Sequence, residues 1–216
     1  MKSVNNEYKL LGLDDTGRGT VLGSMFMAGV LVPLSKVDIL KGIQVTDSKL
    51  LSKKLIIEKA EEIMTNFSYK VVECSATQVD QYNLNDLEAK AFYDIYKVLG
   101  DEKTIVYVDN SDIDRERFLK RLRKLGCVLT EEEKERWVIS HHADLKYPPC
   151  SAASIVGEYI FLKHVEELHQ TYGDVGSLYC WDTKTIEFLK QNLNNLPEIV
   201  RIRYSTVQNL FQRQLF

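Results

Sequence analysis

The sequence predicts an α/β fold in which a mixed sheet is flanked by helices. Strand-like and helix-like segments alternate along the chain, and an antiparallel opening is followed by a β-α-β-α-β run. A third observation concerns the acids. Three separate segments end in aspartate, and strand ends border the crevice where α/β sheets bind ligands.

Each element has its own signal. Tyr8 to Leu13 is an apolar run that stops at two acids and a glycine turn, and Val21 to Val32 continues as a second strand pair or hairpin arm. Ser52 reads as the N-cap of a helix over Lys53 to Asn66, which carries Leu55, Ile56, Ala60, Ile63 and Met64 at helical spacing. Tyr69 to Glu73 reads as a strand. Asn85 reads as the cap of a helix bearing Leu87, Ala91, Ile95 and Leu99, stopped by Gly100. Thr104 to Val108 is a short buried strand ending in Asp109, and Asp112 or Asp114 opens a helix that ends at Gly126. Trp137 to Ser140 is a further strand, followed by a long helix from Ser151 to His169. Beyond it come a helix from Thr183 to Asn194, a strand or extended piece from Val200 to Tyr204 and a last helix. The Gly173 to Trp181 loop is the expected boundary, giving a main unit over 1–172 and a smaller module over 173–216.

Composition sets bounds. With 216 residues, 44% hydrophobic and 27% charged, the chain can bury a core without staples. Its four cysteines form no C-x-x-C pair, which argues against a zinc ribbon and reads as reduced thiols. Met1 to Lys9 is polar, and Val21 to Leu34 is too short to span a bilayer, so a cytoplasmic, membrane-free monomer is expected. The net charge of −3 lacks the basic excess of a typical nucleic-acid binder. Acids gathered at one site and bases on another surface would hide that signal. Arg115, Arg117, Lys120, Arg121, Arg123 and Lys124 crowd one helix, read first as a solvated face.

The acids carry the chemistry. Asp14 and Asp15 follow Leu-Gly-Leu, Asp109 follows Val-Tyr-Val, and Asp144 follows His141-His142-Ala. Converging carboxylates cannot all stay ionised without a counter-charge. Oxygen-ligated divalent cations supply one, magnesium or manganese suiting an all-carboxylate set. Two such ions about 3.5–4 Å apart serve phosphoryl transfer. The bland reading of each aspartate is a turn residue or helix cap. One difficulty is that strand neighbours point to opposite faces, so Asp14 and Asp15 need Gly17 and Gly19 to let the backbone leave strand geometry. Gly17, Gly19 and Gly23 also mimic a dinucleotide-binding loop, but strand and not helix follows them.

These residues, in this order, resemble the type 2 ribonuclease H family, particularly its archaeal form. Its D-E-x-G-R-G motif is matched by Asp14 to Gly19, and its D-S-K-x-L-S motif by Asp47 to Ser52. The third acid follows a buried strand at Asp109. The K-A-D and S-A-A-S-I motifs are matched by His142-Ala143-Asp144 and Ser151 to Ile155. The G-D-x-G-S-G-Y-x-S-D pattern resembles Gly173 to Asp182. The resemblance runs from about residue 10 to 206. It implies a ribonuclease H-like fold with a mixed five-stranded central sheet and a small C-terminal helical module. It implies cutting of RNA in RNA/DNA hybrids, and cutting 5′ of single ribonucleotides in duplex DNA as in ribonucleotide excision repair. Products would carry 3′-hydroxyl and 5′-phosphate ends.

The same resemblance assigns Asp14, Asp15, Asp109 and Asp144 to two Mg²⁺ or Mn²⁺ ions. Gly17, Arg18, Gly19 and Tyr179 would read the ribonucleotide through its 2′-OH, and Ser48, Lys49, Ser151 and His142 would meet phosphates. The departures are Asp15 for the usual Glu, shorter by roughly 1.3–1.5 Å; His142 for Lys; and Gly157-Glu158-Tyr159-Ile160-Phe161-Leu162 where A-K-x-x-R-D is usual. They motivate the rival expectation of a relative that binds hybrids or repair partners without cutting. The tail Gln212 to Phe216 resembles the start of a sliding-clamp-binding peptide, beside the plainer reading of an amphipathic helix end. Trp137 and Trp181 are read as packing residues.

Overall fold

The computed structural model describes residues 7–45, 51–110 and 114–214. Strands β1 (Lys9–Thr16), β2 (Met25–Pro33), β3 (Ser68–Cys74), β4 (Thr104–Asp109) and β5 (Trp137–Ser140) form one mixed sheet in the order β3-β2-β1-β4-β5. β1 pairs antiparallel with β2 and parallel with β4, as the antiparallel opening and the later helical crossovers require. Helices α4 (Leu84–Leu99) and α5 (Arg115–Lys124) cover one face, where Leu11, Leu13, Met25, Met27, Val106 and Val108 meet Phe92, Ile95 and Phe118. Helices α1 (Val37–Ile43), α2 (Lys53–Asn66) and α7 (Pro148–Tyr172) cover the other, against Ala28, Val30 and Val32.

α7 is central. Pro148 and Pro149 begin it, Pro being suited to the first helical turn, and its Ala152, Ala153 and Gly157 let the helix lie close on the sheet. A Cβ placed on Gly12 would fall 2.0 Å from the Pro149 carbonyl, so β1 and the first turn of α7 touch backbone to backbone. After Gly173 the chain builds a third cluster. Val175, Leu178, Leu189, Val200 and Val207 pack against Val21, Leu22, Phe26 and the Phe161 and Leu168 of α7. This cluster includes α8 (Thr183–Asn192) and α9 (Ser205–Gln214). No helix among the described residues is long and apolar enough to cross a membrane.

Several elements differ from expectation. Asn83, not Asn85, caps α4, its side chain accepting from the Asn85 and Asp86 N–H groups. The long helix starts at Pro148 and runs to Tyr172. Val200 to Tyr204 is not a strand. Val200 makes a single bridge to Leu22, and the following turn rests its Ile202 and Arg203 N–H groups on Asp80. α1, α3 (Ala76–Gln81) and α6 (Glu131–Glu135) were not anticipated, the last two opening on capping boxes. Asp114 caps α5, whereas Asp112 lies outside the described residues.

The Gly12 contact is testable. Gly12→Ala forces a methyl into backbone and should destabilise the protein by about 2 kcal/mol or more, read from the urea midpoint. An unchanged midpoint would show that α7 does not lie this close to β1.

Candidate active site

Strand parity sends Asp14 to the α7 face of the sheet with Gly12, and Asp15 to the opposite face with Leu11 and Leu13. The backbone does not leave strand geometry after Asp14, as expected from the glycines, but stays paired to β2 through Thr16. What opens the site is the neighbouring strand. The β1–β4 ladder ends at Leu13↔Val108, and beyond it both aspartates line one cavity of about 450 Å³. Asp109 closes β4 on the face opposite Val106 and Val108. Asp144 enters from the short 3-10 turn Ala143–Leu145. His142 starts that turn in the left-handed region, φ 53°, which histidine tolerates better than most residues. His141 and His142 are therefore not an extended pair, and both border the cavity.

The electrostatics follow from crowding. Asp14 is only 8% exposed, and burial holds its carboxyl well above the usual range. The charges of Asp15, Asp109 and Asp144 push the same way, while a hydrogen bond with Ser154 of α7 opposes them. Burial, and then the charge of and hydrogen bonding with Asp144, raise Asp109; the Ala143 N–H and His142 pull it back. Oδ1 of Asp144 is buried without a hydrogen-bond partner. A fifth carboxylate, Glu158, lies one helical turn beyond Ser154 and lines the same cavity. The sequence placed it only as an acid where the motif has a base.

An orphaned carboxylate oxygen among hard oxygen donors fits a divalent cation. Among the described residues no three of the His, Cys, Asp and Glu side chains form a ready-made ligand group, in keeping with the mutual repulsion of like charges. A larger depression of about 820 Å³ between α5 and α6 is lined mainly by charged side chains and holds none of these five acids.

The Gly-Arg-Gly loop is fixed by a residue that the sequence reading missed. Arg201 has no exposed surface. Its Nε donates to the Gly23 carbonyl at 2.9 Å, and its Nη1 to the carbonyls of Gly17 at 2.8 Å and Arg18 at 3.1 Å. The Tyr204 hydroxyl donates to the Arg18 carbonyl at 2.5 Å. Gly17 and Gly23 adopt φ of 78° and 76°, which this path needs and side chains disfavour. The Arg18 side chain is held by Glu88, at 3.0 Å, and Asn85 of α4. Thr20 bridges to Tyr179, and burial first, then the charge of Glu158, raises the Tyr179 phenol.

The structure thus brings together Asp14, Asp15, Gly17, Arg18, Gly19, Asp109, His142, Asp144 and Tyr179. Ser151, expected at a phosphate, is buried instead and outside the cavity lining, its hydroxyl donating to the Asp144 carbonyl. Ser48 and Lys49 lie outside the described residues. Of the α5 cations, Arg115 is spent on the Lys134 carbonyl and Arg121 on Asp86. Trp137 is buried as expected, but Trp181 is 73% exposed.

Fold and site define a class, an α/β protein of ribonuclease H-like architecture with a carboxylate-lined cleft. The family model described as Ribonuclease HII matches residues 11–207. A ribonuclease HII of Methanosphaera stadtmanae is 32% identical over 213 residues, covering 96% of this chain and 97% of that protein. The crystal structure of ribonuclease H2 from Pyrococcus horikoshii aligns with a TM-score of 0.83 at 28% identity, over 95% of this chain and 98% of that one. Ribonuclease HII from Archaeoglobus fulgidus, solved in complex with PCNA, gives 0.79 at 33% identity, over 93% and 96%. The chain belongs to the ribonuclease HII family. It is an endoribonuclease, and the family carries ribonuclease H activity toward RNA/DNA hybrids with divalent metals.

Two outcomes follow. Arg201→Met removes one donor from each of three backbone carbonyls, of which Arg18 keeps Tyr204 and Gly17 keeps Thr20, and should cost about 3 kcal/mol, or about 10 °C in Tm for a chain of this size. A Tm within 2 °C of the native value would show that the loop does not depend on it. Asp14 has a raised folded pKa, so the stability it contributes is fully present below the ordinary carboxylate pKa of about 4. That contribution is lost as pH rises through the folded value. Without divalent cations, thermal unfolding from acid to neutral pH should show this loss, and Asp14→Asn should flatten it. Parallel profiles for the two proteins would contradict the burial of a strained carboxyl.

Proposed function

We propose that the protein hydrolyses the RNA strand of RNA/DNA hybrids and cuts on the 5′ side of single ribonucleotides in duplex DNA, leaving 3′-hydroxyl and 5′-phosphate ends. The observation that carries this reading is the convergence of Asp14, Asp15, Asp109 and Asp144 in one cleft beside the Gly17 to Gly19 loop and Tyr179. These four acids would hold two Mg²⁺ or Mn²⁺ ions. When bound, such ions supply activation of the attacking water and stabilisation of the leaving oxygen.

The chain's own residues do the rest. Asp14 and Asp109, whose carboxyls burial raises, would serve as ligands once cations offset their charges. Ser151 positions Asp144 through the turn it bonds. The carbonyls of Gly17 and Arg18 are committed to Arg201 and Tyr204, so the loop's N–H groups would be the ones to meet the 2′-OH, a group that tells RNA from DNA. The Tyr179 ring would pack on the following deoxyribose. His142 and, by their motif, Ser48 and Lys49 would meet phosphates.

We further propose that the chain divides near Gly173 into a catalytic unit and a module that completes the cleft, supported by the packing of Val175, Leu178, Leu189, Val200 and Val207 onto Val21, Leu22, Phe26 and α7 and by the position of Tyr179. A sliding clamp is a candidate partner through Gln212 to Phe216. The PCNA complex of the Archaeoglobus fulgidus relative supports it, although the side chains beyond Gln212 are not described.

The test is cleavage of an end-labelled DNA duplex carrying one ribonucleotide, in magnesium or manganese. The expected product ends 5′ of the ribonucleotide, and Asp109→Asn should slow its formation about a thousandfold or more. Tyr179→Ala should impair this substrate at least as much as a long hybrid. Binding without cutting in either metal would sink the catalytic reading.

A further inference from the structure

Among the described residues no large apolar side chain is more exposed than Trp181. Its surroundings are ordered around it. The indole stacks on Tyr179, with ring centroids 4.3 Å apart and planes 19° from parallel. The adjoining Asp182 accepts from Ser177 N–H at 2.8 Å and caps α8 through Lys184 N–H at 2.9 Å, while its own N–H reaches the Tyr179 carbonyl at 3.1 Å. The backbone on both sides of the tryptophan is therefore bonded, and the exposed ring is presented by a fixed turn.

Its neighbour leads directly into the cleft. Tyr179 lines the acid-bearing cavity, and a Cβ on Gly19 would stand 3.6 Å from its ring. The aromatic surface that starts beside the Gly-Arg-Gly loop thus continues out of the cleft onto Trp181. A rigid, solvent-facing indole is a poor choice for stability and a good one for contact with sugars and bases. The local charge adds a reason. The five carboxylates of the adjoining cleft weaken attraction for phosphate, whereas stacking and apolar packing are indifferent to charge.

We propose that Trp181 is a substrate-contacting residue whose indole, the outer leaf of the Tyr179–Trp181 pair, packs on the nucleotide beyond the one that Tyr179 meets. This rests on the proposed function, since it takes the ribonucleotide-containing duplex as the ligand. It assigns to this chain a second aromatic contact at a position where the resembling motif carries serine.

The chain has two tryptophans, and Trp137 is only 2% exposed, so a change in tryptophan emission on binding reports Trp181. The experiment uses the full chain with Asp109→Asn, in magnesium, so that duplex is bound and not cut. A DNA duplex with one ribonucleotide is titrated into this protein and into its Trp181→Phe and Trp181→Ala derivatives. Emission is followed, and anisotropy of a labelled duplex gives Kd independently. Emission should change saturably at the anisotropy midpoint and lose that change in Trp181→Phe. Trp181→Ala should raise Kd about 5- to 100-fold, the range for one lost aromatic stack, while Trp181→Phe stays within about threefold. Binding by anisotropy with unchanged emission, or equal Kd for Trp181→Ala, overturns the contact and leaves the functional reading standing. Absence of binding by the parent protein overturns both.

Discussion

A buried guanidinium that bonds only backbone carbonyls and one phenol holds the C-terminal segment in register with the turn after β1. Arg201 comes from the C-terminal segment, yet its partners Gly17, Arg18 and Gly23 belong to the turn after β1. Burying a cation costs several kcal/mol, and here bonds from Nε and Nη1 to carbonyl oxygens offset part of it, Nη2 being buried without a partner. Because those partners are carbonyls, what the arginine determines is a backbone path. The same turn is laced from outside by Val21 N–H to the Leu178 carbonyl, 2.8 Å, and by Gly23 N–H to the Ile199 carbonyl, 2.7 Å. Arg18 is gripped at both ends, its carbonyl by Arg201 and Tyr204 and its side chain by α4. The loop beside the acids therefore has little freedom once the C-terminal cluster has packed.

That rigidity sits beside a deliberate instability. Asp14 lies on a strand whose backbone touches α7, so it cannot retreat from Asp15, Asp109 and Asp144 without disturbing the sheet. Elsewhere, Arg201 apart, charged side chains such as Arg121 and Asp86 are paired or reach the surface. A cluster of like charges that the scaffold will not relax is the usual sign of a site tuned for ligands and not for stability. Ser154 gives partial relief to Asp14 and Ser151 anchors the turn of Asp144. Both serines come from the helix whose small residues allow the approach.

Much of this was legible in the sequence, for identifiable reasons. The sheet and α2 followed from periodicity and caps, and the four aspartates from their places at segment ends. α3 and α6 were missed although Ser75-Ala-Thr-Gln78 and Thr130-Glu-Glu-Glu133 are capping-box patterns; both helices are too short to show an apolar period. The paired arrival of Asp14 and Asp15 was not legible, because it depends on where β4 stops, a tertiary fact. Arg201 was invisible for the same reason. An isolated arginine in an extended-looking segment gives no hint that it will be buried against a loop from the other end of the chain. Glu158 was seen as a charge change, but its aim into the cleft required α7 to be placed.

The departures from the motif pattern fall together in space and change one kind of contact for another. Phe161 stands where the motif has arginine, and its ring would lie 3.2 Å from a Cβ on Gly17. It meets Tyr179 edge-on at 6.2 Å, and Tyr179 in turn stacks on Trp181. Leu178, where the pattern has glycine, accepts a left-handed φ of 69° and buries its side chain in the same cluster. The strain of that conformation is held by its N–H bond to Thr185 Oγ1, 3.1 Å. The surroundings of the Gly-Arg-Gly loop have therefore exchanged a base for apolar and aromatic packing while the cleft gained Glu158. Each exchange makes sense given the others. With more negative charge in the cleft and one cation fewer beside it, the loop's position rests on ring packing and on Arg201, neither of which weakens when counter-ions come and go.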